Sequence, residues 1–387
     1  MKYGFIRTAA ATPDIKVCDC DFNADNIIKN IKTAYENNTE IIVFPELVIT
    51  GYTCGDLFGQ RTLISSSMKA LDKIKCETKN INTLIVLGMP YQYKGKLYNC
   101  GAVLYKGHIL ALISKSFLPN YNEFYEKRWF TAAAMLTDEL VALPFQENIP
   151  FGTNLIFAAG DYKFGIEICE DLWVTIPPSS YLSLLGANII GNLSASNELV
   201  SKKDYRLSLI ANQSARCMSS YIYSSAGVHE STTDLLFSGH LVISENGTIL
   251  KENNRFQREN EVITSCIDVF KLNAERLKNL SYRDSSKIVP FKPKNINFNF
   301  KNTKINNFDR YIDKHPFVPS NEHEREERMP SGEEINKITD EKGSWSSDEV
   351  KYDTYQNVLK KFKKRKSMYF DQVVEIDHYQ LGIKGKK

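Results

Sequence analysis

A cysteine that could act as a nucleophile lies in the segment 164–173, FGIEICEDLW, directly after an apolar run. Two acidic residues, Glu170 and Asp171, follow Cys169 at once. We predict that Cys169 lies on a sharp turn between a strand and a helix, which would expose its sulfur and bring the following backbone N–H groups close to an oxyanion. Taken alone, however, Cys169 is more simply explained as an inert core residue.

Two charged residues elsewhere also follow apolar runs. Glu46 lies in the segment 41–47, IIVFPEL, where partial desolvation by its apolar neighbours would let the carboxylate accept a proton near neutral pH. Lys115 follows the run 109–113, where its charge could stabilise an oxyanion. Each is more simply explained by itself as a surface carboxylate or a solvated lysine. The three residues together are a stronger signal than any one of them.

These residues can act together only if the strands that carry them end close to one another. Up to about residue 280, short apolar runs alternate with windows of helical periodicity, which favours an α/β fold with helices covering a buried sheet. Helical spacing is clearest around residues 27–35 and 207–215. The predicted strands are residues 3–10, 40–44, 83–88, 101–104, 109–114, 162–168, 188–192 and 220–224.

A glutamate, a lysine and a cysteine in this order resemble the constellation of the nitrilase, or carbon–nitrogen hydrolase, superfamily. Within it, the chain most resembles the amino-terminal glutaminase domain of glutamine-dependent NAD synthetase. The segments that carry the likeness are 44–46 (FPE), 115–126 (KSFLPNYNEFYE), 167–173 (EICEDLW) and 192–198 (NLSASNE).

The resemblance implies a four-layer α-β-β-α sandwich that hydrolyses the side-chain amide of glutamine through a thioester at Cys169. It implies Glu46 as the general base, Lys115 as the oxyanion stabiliser and Glu123 as a supporting second carboxylate. The residues expected to line the substrate pocket are Tyr121, Glu170, Ser196 and Lys202. A cation such as Lys202 could bind the carboxylate of the substrate, and carboxylate side chains could bind the ammonium group of the substrate.

Some alternatives stay open at this point. Ser196 could equally be a capping residue before a helix that begins near residue 202. The site could act on another small amide in place of glutamine. A third alternative is a non-catalytic remnant that serves as a scaffold, although the presence of Glu46, Lys115 and Cys169 weighs against it.

The likeness ends before the carboxyl terminus. We expect a glutaminase domain over residues 1–280, a connector over 281–328 and a divergent charged tail over 329–387. The Ser-Gly-Gly-x-Asp-Ser phosphate loop of the family's synthetase domain does not occur in these 387 residues. We therefore expect no NAD synthesis by this chain alone, an ammonia-accepting NAD synthetase subunit as a possible partner, and a short docking helix or an unstructured tail after residue 329.

Composition excludes several other classes of protein. The 49 basic and 46 acidic residues give a formal net charge of +3, which is too balanced to indicate nucleic acid or an anionic membrane as a partner. No apolar run is long enough to span a bilayer, so we expect a cytoplasmic protein. The eight scattered cysteines indicate neither a disulfide framework nor a metal centre, and no cofactor is expected. The superfamily resemblance implies a homo-oligomer, at least a dimer.

Overall fold

The computed structural model describes residues 4–134, 136–300, 308 and 310. The chain divides into two compact units, Met1–Arg310 and Tyr311–Lys387, and the description below concerns the first. The connector motif at 316–328, the predicted helix near 352–366 and the tail as a whole lie outside the described residues.

Strands and helices are interleaved along the first unit, as the sequence predicts, except that seven strands lie between the second and third helices with no α-helix among them. The helices are α1 Cys20–Glu36, α2 Arg61–Glu77, α3 Pro178–Leu184, α4 Lys202–Arg216, α5 Val269–Lys278 and α6 Leu280–Ser285. The strands are β1 Phe5–Thr12, β2 Ile41–Val43, β3 Leu84–Tyr93, β4 Lys96–Tyr105, β5 His108–Ser114, β6 Glu139–Leu143, β7 Gln146–Gly152, β8 Leu155–Ala159, β9 Tyr162–Ile168, β10 Ile189–Ser194, β11 Ser220–Ser225, β12 Leu241–Glu245, β13 Thr248–Glu252, β14 Glu261–Asp268 and β15 Lys294–Asn297.

Within the described residues the strands form two sheets. The first has the order β14-β1-β2-β3-β4-β5-β7-β6, and the second has the order β13-β12-β11-β10-β9-β8-β15. In the first sheet β2 runs parallel to both β1 and β3, and in the second β10 runs parallel to both β9 and β11. Because Glu46 and Cys169 follow strands from the middle of different sheets, the packing of the two sheets decides whether they meet.

Three apolar clusters define the layers. One packs the first sheet against α1 and α2, with Ile42 and Ile27 among its members. A second fills the space between the sheets, with Val43 and Leu193 among its members, and a third packs the second sheet against α3 and α4. The result is the expected α-β-β-α order, since each sheet must bury both of its faces.

The predicted elements agree with the structure where the hydrophobic pattern is strong. The strand expected at 162–168 is β9, and the window around 27–35 lies within α1. That helix begins earlier, at Cys20, because the Asp19 side chain accepts a hydrogen bond from the Phe22 N–H and so caps it. The prediction omitted strands β6 to β8 and β12 to β15, most of which are half-exposed or short.

The first unit ends later than residue 280. Residues Lys294–Asn297 form β15, which pairs in parallel with β8 at the edge of the second sheet. The rings of Phe298 and Phe300 pack on Tyr105, at centroid distances of 5.2 and 6.1 Å. Arg310 forms an ion pair with the buried Glu245. The first part of the expected connector is therefore an integral part of the sandwich.

Candidate active site

Lys115 lies at the centre of the site and is completely buried. It follows β5, where its backbone N–H donates to Asn99 O at 2.8 Å. Its Nζ lies 2.6 Å from Glu46 Oε1 and 2.7 Å from Glu126 Oε1. Burial acts to lower the pKa of Lys115, but the two carboxylates outweigh it and hold that pKa well above its ordinary value. The lysine therefore stays charged.

Glu46 is also fully buried, in the turn that follows β2. Its backbone N–H donates to Ser194 O at 3.3 Å, so this turn bridges the two sheets. Oε1 accepts hydrogen bonds from Lys115 and from the Asn99 amide, the latter at 2.6 Å. Oε2 is buried and finds no hydrogen-bond partner among the described residues. One oxygen is thus fixed and the other is available to accept a proton.

Cys169 follows β9 with a backbone φ of 45°, in the left-handed region. A non-glycine residue is uncommon there, as expected of a strained nucleophile turn. The helix that begins here is a short 3-10 helix, Cys169–Leu172. Burial and the charge of Glu46 raise the pKa of the Cys169 thiol, whereas Lys115 and a backbone hydrogen bond at Ala195 act to lower it. The resting group is therefore a thiol with a carboxylate nearby.

Asp171 joins the cysteine turn to the lysine loop. Its carboxylate accepts from the backbone N–H of Ile168 at 3.0 Å and of Phe117 at 2.9 Å. Burial raises the pKa of Asp171 to about 8 although these donors favour its charged form. One side chain therefore holds the segment before Cys169 and the segment after Lys115 in register.

The second carboxylate in contact with Lys115 is Glu126. The resemblance implied Glu123 for this position, and the structure corrects that expectation. Glu126 lies in a 3-10 turn, Glu126–Arg128, and also accepts a hydrogen bond from the Tyr52 hydroxyl at 2.7 Å. Burial raises the pKa of Glu126 to about 7, against the opposing effect of Lys115. Glu123 instead accepts a hydrogen bond from Asn197. Both glutamates occur in one segment, and sequence spacing does not show which of them turns inward.

Three of the four residues expected to bind substrate, Tyr121, Glu170 and Lys202, lie in two hydrogen-bonded groups. Tyr121 donates to both carboxylate oxygens of Glu170, at 3.1 and 3.0 Å. Lys202 donates to the side-chain oxygen of Asn197, which connects it to Glu123. Burial lowers the pKa of Lys202, partly offset by the effect of Cys169 and Glu123. Glu170 directly follows Cys169 in the chain, and the charge of Cys169 acts on the pKa values of Tyr121 and Lys202.

Ser196 is buried, and within the described ranges its hydroxyl has no hydrogen-bond partner. It is not the cap of the following helix, because the residue before α4 is Ser201, which makes no side-chain cap. The capping alternative for Ser196 is therefore wrong.

Sequence reasoning missed several contributors to the site. Asn99, Tyr52 and Asn197 contact charged site residues, and the rings of Phe124 and Trp173 lie 5.6 and 5.2 Å from Lys202 Nζ. Phe124 and Trp173 were visible as aromatic residues beside the motifs, whereas Asn99 and Tyr52 lie in other elements. A cavity of about 230 Å³ opens beside Tyr52, Glu123 and Phe124.

The described residues contain no group of three or more His, Cys, Asp or Glu side chains placed to hold a metal ion. None of the described helices is both long and apolar enough to cross a lipid bilayer.

Comparisons with known proteins agree with this geometry. The carbon-nitrogen hydrolase family model matches residues 7–274. A glutamine-dependent NAD(+) synthetase of Mycobacterium leprae is 32% identical over 328 residues, which is 82% of this chain and 47% of that protein. The corresponding enzyme of Mycobacterium tuberculosis is 33% identical over 288 residues, 73% of this chain and 42% of that protein. The chain thus spans about half the length of these relatives.

Solved structures give the same result. A glutamine-dependent NAD(+) synthetase from Cytophaga hutchinsonii superposes with a TM-score of 0.61 at 28% identity, covering 68% of this chain and 43% of that one. An amidase of the nitrilase superfamily from Nesterenkonia superposes with a TM-score of 0.55 at 16% identity, covering 72% of this chain and 98% of that one, and supports the fold alone. With the family model matching most of its length and the three motifs gathered in one buried site, this chain belongs to the carbon-nitrogen hydrolase family.

Proposed function

We propose that this protein hydrolyses the side-chain amide of glutamine to glutamate and ammonia. The observation that carries the proposal is the hydrogen bonding of Glu46: Lys115 and Asn99 fix one oxygen. The other oxygen is buried near the Cys169 thiol and has no hydrogen-bond partner in the part of the chain that the structure describes. A carboxylate held in this way is suited to take up the proton of a thiol as the sulfur attacks.

The reaction then follows from the positions of the groups. Cys169 Sγ bonds to the amide carbon while its proton passes to Glu46, and Lys115 stabilises the negative charge that forms on the carbonyl oxygen. The carbon–nitrogen bond breaks, and Glu46 returns the proton to the leaving nitrogen, so that ammonia departs from a thioester. Water attacks the thioester with Glu46 as the base, which releases glutamate and restores the thiol.

Glutamine is favoured as the amide for two reasons. The relatives that match most of this chain are glutamine-dependent enzymes by name. The site also presents charges of both signs: Glu170 could bind the ammonium group of an amino acid, and Lys202 could bind its carboxylate. An aliphatic amide carries neither an ammonium nor a carboxylate group and would make no ion pair with Glu170 or Lys202.

The test is ammonia release by the full chain from glutamine, asparagine and propionamide. We expect glutamine to be preferred, and Cys169→Ala to release no ammonia while keeping the wild-type melting temperature. Cys20→Ala provides the matched control, because Cys20 is also buried but lies at the start of α1. Preference for propionamide would indicate a different amidase, and full activity of Cys169→Ala would exclude the thioester mechanism.

The ammonia consumer that fits this reaction is an NAD synthetase activity, since the relatives carry that activity in chains about twice as long as the matched part. The measurement is NAD formation from nicotinate adenine dinucleotide, ATP and glutamine when this chain is mixed with an ammonia-dependent NAD synthetase. NAD formation should require Cys169. If the mixture forms NAD with added ammonia but not with glutamine, this chain is not the ammonia donor.

A further inference from the structure

A row of buried polar side chains lies between the second sheet and its helices and begins on β9, the strand that leads to Cys169. Glu167 of β9 stands two residues before Cys169 and beside Asn192 in the parallel register of β10. Tyr221 of β11 is the third member, and Ser194 at the end of β10 is the fourth. All four are almost completely buried. None of them takes part in the reaction steps above.

These side chains form one continuous hydrogen-bonded chain. The Tyr221 hydroxyl donates to Glu167 Oε1 and accepts from the Asn192 amide at 2.9 Å. Asn192 Oδ1 accepts from the Ser194 hydroxyl at 2.7 Å. At the other end, Glu167 Oε2 accepts from the backbone N–H of Ser179 at 2.8 Å, at the beginning of α3.

This hydrogen-bonded chain ends at Ser194, where the backbone contacts the segments that carry Glu46 and Cys169. The Ser194 carbonyl accepts from the backbone N–H of Glu46 at 3.3 Å and from that of Ala226 at 3.0 Å. The next residue, Ala195, makes the backbone hydrogen bond that favours the Cys169 thiolate. Fixing Ser194 relative to Glu167 therefore fixes Glu46 and Ala195 relative to Cys169.

Stability does not account for a glutamate at this position. All of the hydrogen-bond partners that the described residues offer to Glu167 are neutral groups. Removing a carboxylate from water without a cation is costly, and an apolar side chain would avoid that cost. A fully bonded buried polar network does, however, hold its members in one arrangement.

We propose that Glu167 is a positioning residue, which through Tyr221 and Asn192 sets the place of the Ser194–Ala195 backbone against the Cys169 turn. This inference rests on the proposed glutaminase function for its kinetic readout. Displacement of reacting groups by about 1 Å can cost about a hundredfold in rate, so a network remote from the substrate can control turnover.

The experiment compares Glu167→Gln and Tyr221→Phe with the wild-type full chain. We expect kcat for glutamine to fall about tenfold to a hundredfold with KM changed less than about threefold. Alkylation of Cys169 by iodoacetamide, followed at that residue by mass spectrometry, should slow about threefold to tenfold, the effect of losing one hydrogen bond. The melting temperature of Glu167→Gln should stay close to that of the wild type.

Tyr105→Phe is the matched control, because it also removes a tyrosine hydroxyl, one that donates to Asn299 O at 2.7 Å. Wild-type kcat and alkylation rates in both Glu167→Gln and Tyr221→Phe would overturn the inference, as would equal losses in Tyr105→Phe. If the wild-type protein releases no ammonia from glutamine, the proposed function fails. The alkylation rate then decides this inference alone: slower reaction in Glu167→Gln supports it and an unchanged rate overturns it.

Discussion

A buried lysine between two carboxylates is the feature that organises the site at the scale of single residues. Lys115 contacts Glu46 and Glu126 at 2.6 and 2.7 Å, and the three side chains are almost fully buried. A cation in this position keeps its charge and holds the base in place. Because a buried charge is tolerated only with its partners, each glutamate also stabilises the lysine.

Glu126 and Glu123 should therefore respond differently to the same substitution. Glu126→Gln removes one of the two negative charges on Lys115, and we expect kcat for glutamine to fall on the order of a hundredfold. Glu123→Gln disturbs the contact with Asn197 and removes a negative charge that acts on Lys202, and we expect mainly a higher KM. Steady-state kinetics of both variants with glutamine give the kcat and KM values that test this prediction. A larger loss of kcat in Glu123→Gln would return the supporting role to Glu123.

Glu167 should also be visible in the pH dependence of stability. Burial raises the pKa of Glu167, so the folded protein keeps this proton to a higher pH than the unfolded chain does. Its contribution to stability is full below the ordinary glutamate pKa of about 4.3 and is lost as the pH rises through the folded value.

Urea denaturation at a series of pH values above the ordinary glutamate pKa tests whether stability falls with rising pH. The free energy of unfolding of the wild-type protein should fall with rising pH above the ordinary value, and Glu167→Gln should show a shallower fall. Identical slopes for the two proteins would mean that Glu167 is already ionised in the folded state throughout the range.

The turn after β2 shows how neighbouring secondary structure places Glu46, the proposed base. Gly88 of β3 packs so closely on this turn that a Cβ atom there would lie 2.1 Å from the backbone nitrogen of Leu47 and 2.6 Å from the carbonyl carbon of Glu46. The Gly88 N–H also donates to Pro45 O at 3.2 Å. Only glycine allows this approach, because the atoms in the way are backbone.

Gly88→Ala should consequently displace Glu46. We expect a lower melting temperature and a loss of at least about tenfold in kcat, since the base moves away from the thiol. Gly101→Ala is the matched control: Gly101 pairs with Gly88 across β3 and β4, but its Cβ would meet only side-chain atoms, the nearest at 3.4 Å. Equal effects of the two substitutions would mean that the turn adapts to the extra atom.

At the scale of the whole molecule, the sandwich includes residues beyond the motif-bearing region. Strand β15 covers the edge of β8, and the aromatic residues after it cover Tyr105. Removing these residues would expose an unpaired strand edge and an apolar surface.

The effect of truncation on stability and activity should therefore depend on where the chain is cut. A chain of residues 1–328 should keep the melting temperature and glutamine hydrolysis of the full chain, whereas a chain of residues 1–280 should aggregate or melt at a lower temperature. Thermal unfolding and ammonia release of the two truncated proteins measure this. A stable, active chain of residues 1–280 would show that β15 is dispensable.

The sequence by itself determined the layered fold and singled out the groups that we propose to react. Glu46, Lys115 and Cys169 are recognisable because each follows a strongly apolar run and because the surrounding segments resemble one family. Hydrophobic periodicity located the central strands and the first helix, since these elements bury whole faces. Local pattern is enough for such elements because burial dominates their choice of residues.

Only the tertiary structure decided which side chains meet. Glu123 and Glu126 are three residues apart in one irregular segment, and the packing of Tyr52 and Lys115 selects Glu126. Asn99 reaches Glu46 from another strand, and the row from Glu167 to Ser194 joins three strands. Such contacts depend on strand register and on how two sheets pack, which are set by interactions between residues far apart in the chain. Residue type and spacing along the sequence carry no direct record of those distances.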